Sequence, residues 1–255
     1  MKKFAVTTSY KPNQQQITLA KKIANELSCD YIPRKKIKDF NLDFFYVVEK
    51  DERLVIRKKG FELFFHPSIA KVRFLNIKKG LKDYLIESLN PSGNEIVLDL
   101  TFGLGSEAIL MANFLPDGKV IGIEGSIHIY TIVKYGLKNY KDSSNWINNA
   151  LKRIELYHGN FKEMIKNYPE NSFDVVYCDP MFENPVFESS AMNPLRGFAL
   201  YDSVNESDVE NMLRIARKKV ILKSRVGDSM FDKIKVDKIL KGKNSVIIYG
   251  VIYKN

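Results

Sequence analysis

Residues 97–108 of this chain read Val97-Leu98-Asp99-Leu100-Thr101-Phe102-Gly103-Leu104-Gly105-Ser106-Glu107-Ala108. An apolar run containing one acid leads directly into a glycine-rich turn, and residues that favour a helix follow. Glycine permits the positive φ angles of a tight turn and lets a ligand approach the backbone closely. A helix that begins after such a turn offers unpaired N–H groups in its first turn. The stretch therefore predicts a strand, a ligand-binding turn and a helix, in that order.

The same alternation of strands and helices continues beyond this stretch. The pattern predicts strands at Glu95–Leu100, Lys119–Glu124, Arg153–His158, Phe173–Cys178 and Lys219–Lys223. Helices are predicted around Ile77–Leu89, from the glycine turn to Leu115, up to about Lys138 and over 206–217, and a terminal hairpin from Lys233–Leu240 and Ser245–Tyr253. Apolar strands that alternate with helices indicate an α/β fold with a mostly parallel, doubly wound sheet. Its ligand is expected at the carboxyl ends of the strands.

The first 66 residues follow another pattern. Asn13 and Gln16 have the spacing of a capping box before a helix. Three short strand-like runs follow, at Phe44–Val48, Arg53–Arg57 and Phe61–Phe65. The break at His66-Pro67 then separates a small N-terminal α/β domain, residues 1–66, from a larger domain, residues 67–255.

The charge of the chain favours a polyanionic partner. The formal net charge is +10, and residues 1–66 hold 14 Lys and Arg against 8 Asp and Glu. Such an excess favours nucleic acid through phosphate neutralisation. Only nine of the 40 basic residues are arginine, however, and a lysine bias also arises without any partner.

Other features concern compartment and metal. The chain contains no apolar run of 18 residues, so no membrane span is expected, and its N-terminus turns polar too soon for a secretory signal. Cys29 and Cys178 are far apart and form neither a disulfide framework nor a zinc motif, which favours the cytoplasm. His66, His128 and His158 lack the spacing of metal ligands, so no metal is predicted.

The glycine turn predicts a nucleoside cofactor. Gly103, Gly105 and Ala108 satisfy the GxGxxG/A pattern, and Glu124 follows 19 residues after Gly105, where an acid accepts hydrogen bonds from ribose hydroxyls. An NAD-dependent oxidoreductase, or an ordinary strand–helix turn, fits the same residues. Asp99 favours S-adenosylmethionine, because a carboxylate suits a sulfonium and an ammonium group and repels a pyrophosphate. Asp99 also suits a capping role.

A second motif, Asp179-Pro180-Met181-Phe182, follows the fourth predicted strand of the larger domain. The Asp179 carboxylate and the Pro180 carbonyl can hold the hydrogens of an exocyclic amine and orient its lone pair for attack on a methyl group. Phe182 can stack on the base that carries this amine. The alternative is a buried strand that ends in a proline turn, with Phe182 in the core.

Asn160 and Phe161 end the third strand of that domain. Asn160 can bond the amino group of adenine, and Phe161 can pack on the adenine ring. A cap of the following helix is an equally good interpretation of Asn160.

Together these motifs resemble the small-subunit ribosomal RNA guanine-N2 methyltransferases of the RsmJ type, over nearly the whole chain. The residues that carry the resemblance are Arg53–Arg57, Ala70–Phe74 with Arg73, Asp99-X-Thr101-X-Gly103-Leu104-Gly105, Asp179-Pro180-Met181-Phe182, Arg196, Phe198 and Lys223. The family implies a Rossmann-like methyltransferase domain with a small N-terminal domain, S-adenosylmethionine as cofactor, and small-subunit ribosomal RNA as partner of a monomer or homodimer.

The resemblance also implies roles for individual residues. The implied cofactor contacts are Ser106, Glu107, Glu124, Gly125, Asn160, Phe161 and Asp179, beside Asp99, Thr101, Gly103 and Gly105 in the turn. Arg73, Arg196 and Lys223 would hold RNA phosphate or base. Ser106-Glu107 stands where the family has Arg-Asp, Asn160-Phe161 replaces a serine pair, and the loop 183–205 is less basic than in the family. These departures indicate a divergent member, and a DNA or small-amine methyltransferase and a non-catalytic RNA-binding protein remain alternatives.

Overall fold

The computed structural model describes residues 3–180, 197–200 and 203–254. Within them the chain divides into two compact units: a first unit of residues 3–66, 131–141 and 197, and a second unit of residues 67–130, 142–180, 198–200 and 203–254. That residues 1–66 form a domain of their own stays a prediction, because a later segment of the chain belongs to the same unit.

The first unit contains a sheet of four described strands. Its elements are β1 Phe4–Thr8, helix α1 Gln14–Glu26, a 3₁₀ helix Ile37–Asp39, β2 Phe44–Val48, β3 Leu54–Lys58 and β4 Phe61–Phe64. β1 pairs in parallel with β2, and β2, β3 and β4 form an antiparallel meander. The capping box is confirmed: the Asn13 side chain accepts the Gln16 N–H, and the Gln16 side chain accepts the Asn13 N–H.

The second unit is built around a larger sheet. Its described strands are β5 Ile96–Asp99, β6 Lys119–Glu124, β7 Ile154–His158, β8 Phe173–Cys178, β9 Ala216–Arg225, β10 Lys238–Lys241 and β11 Ile247–Tyr253. Their spatial order is β10-β11-β9-β8-β5-β6-β7. Five neighbouring strands run parallel to one another, in the spatial order β9, β8, β5, β6 and β7. At the β9 edge, β11 and then β10 are added antiparallel. The predicted sheet and its terminal hairpin are therefore confirmed.

Further helices lie before and between these strands along the chain. They are α2 Ser68–Lys78, α3 Tyr84–Leu89, α4 Ser106–Asn113, α5 Ile127–Asn139, α6 Asn145–Leu151, α7 Phe161–Asn167, α8 Glu206–Ile215 and α9 Met230–Lys233. The single helix predicted over Ile77–Leu89 is wrong. The chain leaves α2 after Lys78 and starts α3 anew, because the Asp83 carboxylate caps α3 by accepting the N–H groups of Leu85 and Ile86. Among the described residues, no helix combines the length and apolar character that a bilayer crossing requires.

The position of β5 determines where a ligand can bind. β5 lies between β6 and β8, and it is parallel to both. The chain runs from β5 to β6 and β7 on one side, and it then returns to β8 on the other side. In open sheets of this kind the crevice for ligands lies outside the carboxyl ends of the strands, where the strand order reverses. Asp99 ends β5, Glu124 ends β6 and Asp179 directly follows β8, so all three acids flank that point.

Candidate active site

The turn after β5 is tied to both neighbouring strands. The Leu100 N–H donates to the Tyr177 carbonyl at 2.9 Å, and the Phe102 N–H donates to the Ile123 carbonyl at 3.0 Å. Gly103 and Gly105 have φ angles of 56° and 78°, in the left-handed region that favours glycine. Gly105 is the cap residue of α4. The first turn of α4, with Ser106 and Glu107, therefore starts at the carboxyl ends of the strands.

The Phe102 ring packs against this turn and against β6. Phe102 is buried, and a Cβ atom on Gly105 would lie 2.6 Å from its ring. A Cβ atom on Gly122 of β6 would overlap the same ring. The aromatic side chain thus occupies the space that side chains at both positions would need. Phe102 was not among the predicted site residues, although Gly122 inside an apolar strand is a sequence signal for such a close approach.

Asp99 is a buried acid at the end of β5. The residue is 1% exposed, and Oδ1 accepts the Thr101 N–H at 3.1 Å. Burial raises the pKa of Asp99 well above its usual range, and the nearby carboxylates of Glu107, Asp179 and Glu124 raise this pKa as well. A positively charged ligand group at this point would stabilise the ionised form of Asp99.

Glu124 is fixed at the end of β6 by backbone groups. Its Oε2 accepts the Gly103 N–H at 2.8 Å, and its Oε1 accepts the Ser126 N–H at 2.7 Å. Glu124 is 7% exposed, and burial raises its pKa although these hydrogen bonds act in the opposite direction. Each carboxylate oxygen has a further lone pair, so the group suits the hydroxyls of a ribose.

Asn160 caps α7, since its Oδ1 accepts the Lys162 N–H at 2.8 Å. Phe161 is 6% exposed, and its ring belongs to a hydrophobic core that includes Ile165 and Met212. The ring is therefore enclosed by protein, and the backbone N–H at the start of α7 is the better placed group for a cofactor. Gly125 lies close to this turn, because its carbonyl oxygen is 3.1 Å from Nε2 of His158. Cofactor contacts of these residues stay predictions.

Asp179 directly follows β8. Its N–H donates to Oγ1 of Thr101 at 2.6 Å, so the turn that follows β5 also holds the residue that follows β8. Burial raises the pKa of Asp179, and the Lys223 ammonium acts against this rise. Pro180 comes next, whereas the predicted site residues Phe182 and Arg196 lie outside the described residues.

Five charged residues extend from Asp179 across the second unit, and we call them the ion-pair chain. Nζ of Lys223 lies 2.7 Å from Oδ2 of Asp179 and 3.1 Å from Oε1 of Glu107. Nη1 of Arg73 lies 3.0 Å from the same Glu107 oxygen. Arg73 also donates to both carboxylate oxygens of Asp83, at 2.8 and 2.9 Å. Arg73 and Lys223, which the resemblance assigns to RNA phosphate or base, therefore pair with carboxylates of the protein.

The charges of the ion-pair chain stabilise one another. Burial alone would raise the pKa of Glu107, but Lys223 and Arg73 lower it to about 2. Conversely, burial disfavours the charge of Lys223, and the carboxylates of Asp179 and Glu107 raise its pKa. Glu107 and Lys223 are therefore ionised at neutral pH. Asp83, which anchors Arg73, was missed by sequence reasoning because it lay inside a predicted helix.

The acids of this site differ from a metal centre. Within the part of the chain that the structure describes, no group of three or more His, Cys, Asp or Glu side chains has an arrangement that could hold a metal ion. Asp99 and Glu124 lie instead beside a glycine turn and the start of a helix. This donor set fits an organic ligand that carries both positive charge and ribose hydroxyls.

Comparisons with known proteins show the family of this chain. Residues 62–249 match the family described as "Putative SAM-dependent methyltransferase". The chain is 34% identical over 254 residues to the uncharacterised protein YpiP of Bacillus subtilis. The aligned region covers 97% of this chain and 98% of YpiP. It is also 30% identical over 155 residues to ribosomal RNA small subunit methyltransferase J of Coxiella burnetii, which covers 58% of each chain. A protein of the same name from Aliivibrio fischeri is 26% identical over 199 residues, 70% of this chain and 75% of that one.

A solved structure supports the fold. The SAM-dependent methyltransferase of Neisseria gonorrhoeae superimposes with a TM-score of 0.68, over 98% of this chain and 96% of its own. Its sequence identity is 15%, so the similarity concerns the fold.

Proposed function

This chain belongs to the family of SAM-dependent methyltransferases, and from this premise we propose that it methylates the exocyclic N2 amine of a guanine in small-subunit ribosomal RNA. The observation that carries the proposal is the hydrogen bond between Asp179 N–H and Thr101 Oγ1. It joins the turn that would hold the cofactor to the backbone of Asp179, whose carboxylate would hold the target amine.

The cofactor is S-adenosylmethionine, as the family and the fold imply. When bound, it supplies a methyl group that is already activated on a positively charged sulfur. The buried carboxylate of Asp99 would face the positively charged methionine end, and Glu124 would accept hydrogen bonds from the ribose. The backbone of the Gly103–Gly105 turn would allow close approach. Ser106, Glu107, Asn160 and Phe161, at the first turns of α4 and α7, would complete the pocket.

Asp179 and Pro180 would hold the target amine. The lone pair of an exocyclic amine is delocalised into the base, so the amine must be oriented before it attacks a methyl group. The Asp179 carboxylate and the Pro180 carbonyl each accept a hydrogen bond, and two acceptors suffice to fix both amine hydrogens. Phe182 would stack on the base and Arg196 would hold phosphate, as the resemblance implies.

The choice of RNA as acceptor rests on relatives and charge. Relatives from Coxiella burnetii and Aliivibrio fischeri carry the name ribosomal RNA small subunit methyltransferase J. The net charge of +10 favours a polyanion. An acceptor in the ribosome also assigns the reaction to the cytoplasm.

A methyl-transfer assay tests the proposal. The purified protein and labelled S-adenosylmethionine are offered small ribosomal subunits, naked small-subunit RNA, DNA and simple amines. We expect transfer to subunits or their RNA, with N2-methylguanine as the product identified by mass spectrometry. Transfer to DNA or to small amines alone would contradict the proposal.

A deletion strain gives an independent test. Ribosomal RNA from cells that lack the protein should miss one N2-methylguanine, and the wild-type protein should restore it. Asp179→Ala should not restore the modification, although it should accumulate and bind the cofactor. An unchanged modification pattern in the deletion strain would reject ribosomal RNA as the acceptor.

A further inference from the structure

Lys223 lies against the carboxylate that the proposed function assigns to the target amine. Its Nζ is 2.7 Å from Oδ2 of Asp179 and 3.1 Å from Oε1 of Glu107, and its side chain is only 13% exposed. Lys223 is located on β9, which pairs with β8 directly before Asp179. A lysine in this position can control the direction of the Asp179 side chain.

The charges around Lys223 do not suit a phosphate site. The ion-pair chain contains three carboxylates, those of Asp83, Glu107 and Asp179, and two cations, those of Arg73 and Lys223. The ion-pair chain therefore carries one more negative charge than positive charges. A phosphate next to it would meet repulsion and would have to displace a carboxylate at 2.7 Å from Lys223.

We propose that Lys223 is a positioning residue that holds one oxygen of Asp179 and thereby directs the other oxygen at the target amine. The inference rests on the proposed function, because it requires that Asp179 binds the amine. It replaces the RNA-binding role that the resemblance gives to Lys223.

The rest of the ion-pair chain makes Lys223 a fixed support. Glu107, in the first turn of α4, receives both Lys223 and Arg73 on the same oxygen. Arg73 of α2 is held in turn by two hydrogen bonds to Asp83, the cap of α3. Asp179 is also held at its backbone by Thr101. Two independent anchors therefore restrict Asp179, one at its N–H and one at its carboxylate.

Several charged or titratable groups act on Asp179 from the surrounding elements. They are Lys223 on β9, Glu107 on α4, Arg73 on α2, Asp99 on β5, Tyr177 on β8 and Tyr249 on β11. Burial and the Glu107 charge raise the pKa of Asp179, whereas Lys223 and Arg73 lower it. Removal of Lys223 should therefore raise this pKa, and removal of the Glu107 charge should lower it.

The pH dependence of methyl transfer tests the inference. With saturating cofactor, kcat and the KM for RNA are measured from pH 5 to pH 9 for wild type, Lys223→Met, Lys223→Arg and Glu107→Gln. For Lys223→Met we expect the acidic limb of kcat to move up by about 1–2 pH units, with an unchanged KM. Glu107→Gln should move the limb to lower pH, and Lys223→Arg should leave it near that of wild type.

Lys218→Met is the matched control for the loss of one positive charge. Lys218 is located on the same strand but near its other end, and its ammonium contacts Glu95 and Asp174. An unchanged acidic limb in Lys223→Met, with a raised KM for RNA that depends less on salt, would show a phosphate contact and overturn the inference. If Lys223→Met fails to fold, Glu107→Gln decides: an unmoved limb in that variant overturns the inference as well.

A second measurement separates this inference from the proposed function. The Asp179 carboxyl is titrated by ¹³C NMR in cofactor-bound wild type, Lys223→Arg and Glu107→Gln, with Asp179→Asn used to assign the signal. If no RNA accepts a methyl group, the proposed function fails, but the titration still reports on the ion pair. A signal that is insensitive to Glu107→Gln would overturn the positioning role regardless of substrate.

Discussion

On the cofactor side of this site, at β5 and β6, two carboxylates are held by backbone N–H groups, whereas on the acceptor side, at β8 and β9, a lysine holds the carboxylate. Asp99 and Glu124 accept hydrogen bonds from Thr101, Gly103 and Ser126. Asp179 is paired with Lys223, which also pairs with Glu107. The protein therefore supplies the cation that neutralises Asp179 on the acceptor side, and it leaves the charge on the cofactor side to be neutralised by the ligand.

The largest expected effect comes from a substitution that alters the acceptor side alone. Asp179→Ala removes the acceptor for the amine hydrogen, and we expect methyl transfer to fall about 10²–10³-fold while the affinity for S-adenosylmethionine falls much less. Asp179→Asn keeps one acceptor oxygen and should lose less activity. Single-turnover transfer and calorimetric titration measure the two quantities. Equal losses of transfer and of cofactor affinity would show that the two sides are not separable.

The next largest effect is expected from a substitution that alters the cofactor side alone. In Gly122→Ala the new methyl group overlaps the Phe102 ring under the glycine turn, so the turn must shift. We expect a loss of about 1–3 kcal/mol in unfolding free energy and weaker cofactor binding. Denaturant titration and calorimetry measure both, and Ile121→Val on the same strand is the control. Normal cofactor affinity in Gly122→Ala would mean that the turn does not depend on Phe102.

A pair of isosteric variants sharpens the contrast in charge. The pKa of Asp99 is raised in the folded state, so its contribution to stability is lost as pH rises through that pKa, and Asp99→Asn should stabilise the cofactor-free protein at pH 8. The pKa of Glu107 is lowered to about 2, so its stabilisation is present at neutral pH and lost as pH falls toward 2. Glu107→Gln should therefore destabilise at pH 8.

Thermal unfolding at pH 5 and pH 8 measures both variants, with expected midpoint shifts of roughly 3 °C in opposite directions at pH 8. The stabilisation by S-adenosylmethionine should be smaller in Asp99→Asn than in wild type. Shifts of the same sign would contradict the division into a ligand-neutralised and a self-neutralised side.

The smallest effect concerns Asn160, which follows β7 and caps α7. Asn160→Ala removes the cap of α7 and should cost about 1 kcal/mol, whereas Asn160→Ser keeps a capping oxygen and should cost less. Cofactor affinity separates the two interpretations of Asn160. Weaker binding in both variants would indicate contact with adenine, and weaker binding only in Asn160→Ala would indicate an effect through the helix.

Much of the second unit could be predicted because its signals are local. The strands Lys119–Glu124 and Phe173–Cys178 have the predicted bounds, since apolar runs that end at polar residues mark buried parallel strands. α6, Asn145–Leu151, was missed because it is short and only Ile147, Ala150 and Leu151 are buried. The break between α2 and α3 was missed because apolar spacing continues past Lys78, although Asp83 caps a new helix there.

The sequence by itself determined the strand–turn–helix unit and the acids that follow β5, β6 and β8, because glycine turns and strand ends depend on neighbouring residues. Only the tertiary structure decided which charges meet. Lys223 is 116 residues from Glu107 and 44 from Asp179, and no periodicity links such positions. An ion pair depends on distance in space and on burial, so the pairing of Lys223 with Asp179 appears only when β8 and β9 lie side by side.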